Sequence, residues 1–109
     1  MTNFQHCQVV TATDSHDVAE ALAGSAVAAR LAASAQVIGP AKSSYWWHDE
    51  VVVAEEWRIT FRTTFVRYRQ LEQHIRDRHN YELPGIVCVP FIAGYEPYLQ
   101  WLTTQTSQR

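Results

Sequence analysis

The stretch that decides the fold runs from Val51 to Phe65, VVVAEEWRITFRTTF. Its odd positions hold Val51, Val53, Glu55, Trp57, Ile59, Phe61, Thr63 and Phe65. The even positions between them hold Val52, Ala54, Glu56, Arg58, Thr60, Arg62 and Thr64. This alternation of period two marks a strand, and fifteen residues of it would span about 50 Å at ~3.4 Å per residue. Ordinary strands have about five or six residues. A strand this long overhangs any four-stranded sheet that 109 residues can build, so its far end is expected to pair with another subunit.

Upstream, His48-Asp49-Glu50 reads as a hairpin tip. The partner strand ends in Ser44-Tyr45-Trp46-Trp47 and begins near Gln36-Val37-Ile38, with Gly39-Pro40 between them. Proline cannot donate to a ladder, so a bulge or kink is expected there. Further back, residues 18–35, VAEALAGSAVAARLAASA, form an Ala-rich helix by propensity. Thr13-Asp14-Ser15 supplies its N-cap cluster and Asp17 an anion in its first turn. Phe4 to Thr11 is the first strand.

Downstream, residues 67–79 read as a second helix, with Tyr68, Leu71 and Ile75 on one stripe and Arg76, Arg78 and His79 near its end. The basic run Arg67–Arg78 also contains Glu72 and Asp77 and reads as a solvated helix face. Leu83-Pro84-Gly85 breaks the chain. Ile86 to Ala93 is the last strand, and Pro90 within it argues for a sheet edge or a bulge. Pro97 opens a short helix over Tyr98–Leu102. The tail TTQTSQR is expected to be polar and frayed.

The order β-α-β-β-α-β plus a short C-terminal helix predicts one domain over residues 1–109. Its class is α+β, a ferredoxin-like antiparallel sheet with a long hairpin between its second and third strands. Right-handed crossovers place both main helices on one face of the sheet. The other face, carrying Glu56, Arg58 and Arg62, then needs a cover, and self-association is the simplest one.

Composition narrows the function. A net charge of −2 gives no electrostatic reason to bind nucleic acid or an anionic membrane. No segment approaches the ~20 apolar residues of a membrane span, and MTNFQHCQVV lacks the marks of a signal peptide. Cys7 and Cys88 each sit in an apolar run and read as buried free thiols, so a cytoplasmic location is expected. G-x-S-x-G, P-loop and dinucleotide motifs are all missing, and His6 beside Cys7 would point to the opposite face of a strand. The chain is therefore expected not to be an enzyme.

Three groups remain for binding. The histidines are His6, His16, His48, His74 and His79, and no two stand four apart on a helix. His79 suits a helix C-terminus, or alternatively a surface ligand for a borderline cation such as Cu²⁺. Glu56 and Arg62 share a strand face with Arg58 and Thr60 between them. They read as an ion-pair ladder or as the charges of an intersubunit cleft. The aromatic residues Tyr45, Trp46, Trp47, Trp57, Tyr81, Tyr98 and Trp101 read as core and interface.

An ordered set of local patterns resembles the divalent-cation-tolerance (CutA) family. It comprises Ala29-Arg30-Leu31-Ala32-Ala33, Ser44-Tyr45-Trp46-Trp47, Glu56 ahead of Arg62-Thr63, His79-x-Tyr81-Glu82-x-Pro84 and Tyr98-Leu99-x-Trp101. The resemblance implies a ferredoxin-like fold in a tight homotrimer, with hairpins paired between subunits. It implies a role in tolerance to copper and other divalent cations, no enzymatic activity, no required cofactor and an architecture like that of the PII signalling proteins. The family's copper ligands fall on Thr11, Arg78 and His79, so one imidazole remains and cation binding at His79 is expected to be weak. Arg62 stands where the family commonly has Lys, Asn80 where it has Pro, Ser34 where it has Cys and Gly85 where it has Glu. The alternatives are a PII-like sensor binding a small anion or metabolite in the intersubunit cleft near Glu56, Arg58, Arg62 and Tyr81, and a scaffold docking a protein through Trp46 and Trp47.

Overall fold

A computed structural model of the chain describes residues 4–107. Strand β1 (His6–Thr13) leads into helix α1 (His16–Ala28), followed by strands β2 (Ser34–Trp47) and β3 (Glu50–Thr64). Helix α2 (Phe65–Arg78), strand β4 (Val87–Pro90) and helix α3 (Glu96–Gln105) complete the order. The sheet is antiparallel in the order β2-β3-β1-β4, so the expected ferredoxin-like α+β fold is the one formed.

The odd residues of β1 and β3 make the core. Cys7, Val9, Ile59 and Phe61 are fully buried beneath Ala19, Leu22 and Ala26 of α1 and Leu71 and Ile75 of α2. The small side chains of α1 let its axis lie close to the sheet. Burial pushes the pKa of the Cys7 thiol up to about 12, with Cys88 beside it adding to the shift. Both cysteines are free thiols, and Cys7 at least is held far from thiolate. The opposite face has no helical cover at its centre: Ile38, Val87 and Val89 are 57%, 56% and 48% exposed.

β1 pairs with β3 only from Trp57 to Thr64, whereas β2 continues to pair with β3 as far as Trp47 and Glu50. The outer half of the hairpin therefore stands as two strands alone. His48 and Asp49 close it, with φ of 48° and 63°. Positive φ at both central residues gives the primed turn whose twist matches the strands it joins.

Several boundaries differ from those expected. The Ala-rich helix stops at Ala28 because the Leu31 and Arg30 N–H groups turn back to the carbonyls of Ala26 and Val27, both at 3.0 Å. This is the Schellman closure, with Arg30 at φ 60° where glycine is usual, which hides the stop from composition. Residues 34 and 35 belong to β2 instead. The last strand is shorter than Ile86–Ala93 and, as Pro90 suggested, lies at the sheet edge.

The C-terminal tail is the larger correction. Helix α3 runs on to Gln105, Thr106 is buried, and only Gln108 and Arg109 of the tail lie outside the described residues. Two arginines hold this end. Arg67 Nε donates to the Thr106 carbonyl at 2.7 Å, and Arg30 Nη1 donates to the Gln105 carbonyl at 3.0 Å. Cations on terminal carbonyls also complement the helix dipole. Arg67 is thus buried rather than part of a solvated face.

The Gly39-Pro40 interruption is the expected bulge, a register shift between Ile38 and Ala41. A Cβ on Gly39 would meet the Trp57 ring at 2.7 Å and the Glu56 carbonyl at 2.9 Å, so the chain packs closely against the indole there. Gly24, exposed in α1, has nothing within 4 Å of such a Cβ. Gly39→Ala should destabilise the protein by about 1–3 kcal/mol through overpacking. Gly24→Ala should stabilise it by about 0.5–1 kcal/mol through helix propensity. Urea unfolding of the two variants checks both signs.

Candidate functional site

The site forms where the loop after α2 folds back over the end of β1 and faces the base of the hairpin. His79 caps α2, its N–H donating to the Ile75 carbonyl at 2.8 Å. Its ring is fixed by two bonds. The Tyr81 N–H donates to Nδ1 at 3.0 Å, which requires a lone pair on that nitrogen. The proton therefore sits on Nε2, which donates to the Ala12 carbonyl at 2.9 Å. Burial lowers the pKa of His79 below the ordinary histidine value and keeps the ring neutral.

Asn80 pins the next turn of chain. Its Nδ2 donates to Asp14 Oδ1 at 2.8 Å, and its Oδ1 accepts from the Thr13 hydroxyl. Thr13 Oγ1 in turn accepts from the Ser15 N–H at 3.2 Å, at the N-cap of α1. Tyr81 then reaches across to β3, where its hydroxyl donates to Glu56 Oε2 at 2.5 Å. Burial and the Glu56 carboxylate both push the Tyr81 phenol far up, so it remains a proton donor to an ionised acid.

These contacts wall a cleft of about 730 Å³. Tyr45, Trp46 and Trp47 of β2 form one side, the loop from Asn80 to Gly85 forms the other, and Val10, Ala12 and Val87 are floor residues. Glu56 and Arg58 both line it. Arg58 makes no ion pair among the described residues. A concave, mostly apolar space with a few convergent polar groups is the usual form of a small-molecule site.

The expected site residues divide accordingly. Glu56, Arg58, Tyr81, Tyr45, Trp46 and Trp47 come together in the cleft. Arg62 does not; it stands further along the open face, opposite Gln8 and Ser34. Glu56 and Arg62 form no ion-pair ladder within the chain, since Glu56 bonds Tyr81 instead. Trp57 packs against the core and Trp101 stacks on Tyr98 at 5.9 Å, away from the cleft.

His79, the expected cation ligand, is tied into the loop through its ring. Both ring nitrogens are engaged, so a metal could bind only by breaking a bond that holds the loop. Among the described residues, the three donors that cluster are His16, Asp17 and Glu20, exposed on the first turns of α1 with ligand atoms within 4.8 Å of one another. Sequence reasoning missed this group because it sought paired histidines, whereas His16 and Glu20 carry the i,i+4 spacing.

The CutA1 divalent ion tolerance protein family model matches residues 7–105. The chain belongs to that family. A CutA divalent-cation tolerance protein of Thermus thermophilus is 33% identical over 98 residues, covering 90% of this chain and 95% of the relative. The fold is also similar to that of the solved Cut A1 structure from Thermus thermophilus, with a TM-score of 0.90 at 31% identity over 94% of this chain and 99% of the other. The CutA1 structure from Oryza sativa gives a TM-score of 0.92 at 26% identity, covering all of both chains. Against the chloroplastic CutA 1 protein of Oryza sativa subsp. japonica identity is 30% over 87 residues, 80% of this chain and 49% of the relative. The chain thus spans about half the length of that plant relative and nearly all of the Thermus one. No helix among the described residues is long and apolar enough to cross a membrane.

Two histidines with lowered pKa, His74 buried and His79 half-buried, should shape the acid response of the chain. His74, between α1 and α2, is 9% exposed and bonds Ser25 Oγ through Nε2 at 2.7 Å. Its pKa is lowered, first by burial and then by Arg78. His79 is lowered in the same direction. For a lowered histidine the unfolded chain takes up a proton, near its ordinary 6.5, that the native state refuses. Stability should therefore be full above about pH 7 and fall as pH drops through about 6.5. Urea midpoints across about pH 7.5 to 5 should show this fall, and His74→Gln should flatten it.

Proposed function

We propose that the chain works as a homotrimer in the response to divalent metal ions, copper among them, as a binding or regulatory protein and not as an enzyme. One observation carries the assembly: the residues of β3 from Glu50 to Glu56 have only β2 beside them. Val51, Val53 and Trp46 on that half are 59%, 63% and 73% exposed. A lone two-stranded ribbon is marginal in water, and apolar side chains on it favour a further strand or sheet from a second copy. Free, core-placed thiols fit a reducing compartment, which favours the cytoplasm.

The metal role is supported by the family and by what its relatives are called, and it requires no resident cofactor. Among the described residues, His16, Asp17 and Glu20 cluster closely enough to take a cation, while His79 is already hydrogen-bonded at both ring nitrogens. Exposed side chains on one helix turn give weak affinity, which suits a response at raised metal concentrations better than storage.

A second reading is favoured by the cleft. It makes the chain a sensor of PII-like design, taking a small molecule between the hairpin aromatics and the Tyr81 loop. The two readings are compatible, since assembly would steady the hairpin that forms one wall.

Light scattering at micromolar concentration should give a mass about three times the 12.5 kDa chain. Val53→Asp should shift it toward the monomer by placing a charge in the apolar contact. A monomeric native protein would contradict the assembly. Calorimetric titration with Cu²⁺ should show weak binding that His16→Ala reduces and His79→Ala spares. Tight binding abolished by His79→Ala would contradict the metal assignment.

A further inference from the structure

The cleft has a definite charge arrangement that the second reading alone does not use. Glu56 and Arg58 stand two residues apart on the same face of β3, about 7 Å along the strand. One oxygen of Glu56 accepts from Tyr81, which leaves the other without a partner among the described residues. Arg58 is likewise without an ion-pair partner there. Both line the cleft, and neither meets the other within ion-pair distance. The cleft thus offers a carboxylate acceptor and a solvent-facing guanidinium fork side by side, neither ion-paired among the described residues, beside aromatic side chains.

A simple anion would satisfy Arg58 and be repelled by Glu56. A simple cation would do the reverse. A ligand carrying both charges on adjacent atoms satisfies the two at once, with its carboxylate on the planar guanidinium and its ammonium on the free Glu56 oxygen. Tyr45 and Trp47, on the same face of the hairpin as Glu56, would then take an apolar or flat side chain, and the volume of about 730 Å³ accommodates one. Tyr81 contributes by fixing the Glu56 carboxylate through its hydroxyl.

We propose that the cleft between the hairpin base and the Tyr81 loop binds a zwitterionic α-amino acid with a large apolar or aromatic side chain, its carboxylate held by Arg58 and its ammonium by Glu56. The proposal rests on the reading of the cleft as a small-molecule site. It does not require the metal role.

The test is calorimetric titration of the full chain with three probes that share a phenyl ring: L-phenylalanine, hydrocinnamate, which lacks the amine, and phenethylamine, which lacks the carboxylate. L-phenylalanine should saturate near one site per chain, and each half-ligand should bind at least about tenfold more weakly, the loss of one charged hydrogen bond. Arg58→Gln should weaken L-phenylalanine and hydrocinnamate while sparing phenethylamine. Glu56→Gln, which can still accept from Tyr81, should weaken L-phenylalanine and phenethylamine while sparing hydrocinnamate. Hydrocinnamate or phenethylamine binding as tightly as L-phenylalanine would overturn the zwitterion assignment. Saturable binding of all three, unchanged in either variant, would overturn the roles of both residues. No saturable binding of any probe up to about 10 mM, weaker than roughly 3 kcal/mol of binding free energy, would overturn the ligand site itself. Light scattering on the same samples reports the oligomer separately, so loss of assembly is not mistaken for loss of the site, and unchanged circular dichroism of the variants shows that they fold.

Discussion

Everything distinctive in this structure follows from the pairing of β2 with β3 beyond the point where β1 ends. Up to Trp57 the sheet has neighbours on both sides of β3 and a helical layer above it. Beyond Trp57 the same two strands continue with neither. The backbone groups on the outer edges of that extension can be satisfied by water, but its exposed valines and tryptophan cannot. The ribbon is kept in register by the bulge at Gly39-Pro40, which packs closely against Trp57 at the point where the supported sheet gives way to the unsupported one. The tip turn, with positive φ at His48 and Asp49, adds the twist a free ribbon needs.

The same extension makes the cleft. Because the hairpin projects past β1, its inner surface faces empty space, and the loop after α2 folds into part of it. His79, Asn80 and Tyr81 use successive side chains to fasten that loop to β1, to the α1 cap and to β3. The bonds reach β1, the turn before α1 and β3, so the loop is held as a wall rather than left as a tether. The His79 imidazole, placed where a metal ligand is expected, is one of these fastenings. The same fastening explains the place of Asn80: its side chain bonds both Thr13 and Asp14, which proline could not do.

Much of the fold was legible in the sequence, for physical reasons that can be named. The fifteen-residue alternation could only be a strand, and its length alone implied the overhang. The N-cap within Thr13-Asp14-Ser15, the interruption at Gly39-Pro40 and the edge position that Pro90 allowed for β4 were each signalled by local residue chemistry. The misses share a cause as well. Arg30 closes a helix in a conformation usually given to glycine, and Arg67 is buried by a bond to the distant Thr106 carbonyl. Both are cations that cap chain ends at long range, which no local pattern reveals. The pairing of Glu56 with Tyr81 rather than Arg62 is equally a tertiary fact: it depends on a loop crossing the sheet, not on spacing along β3.

If the outer hairpin is ordered by contact with other copies of the chain, its protection must depend on concentration. Hydrogen exchange of the amides from Ser43 to Glu56, followed over a dilution series from the micromolar range downward, tests this most directly. These amides should be protected like those of Val9 and Phe61 at high concentration and lose protection together as dilution separates the subunits. Protection independent of concentration in a chain that light scattering shows to be monomeric would contradict it, as would hairpin amides that exchange freely at every concentration.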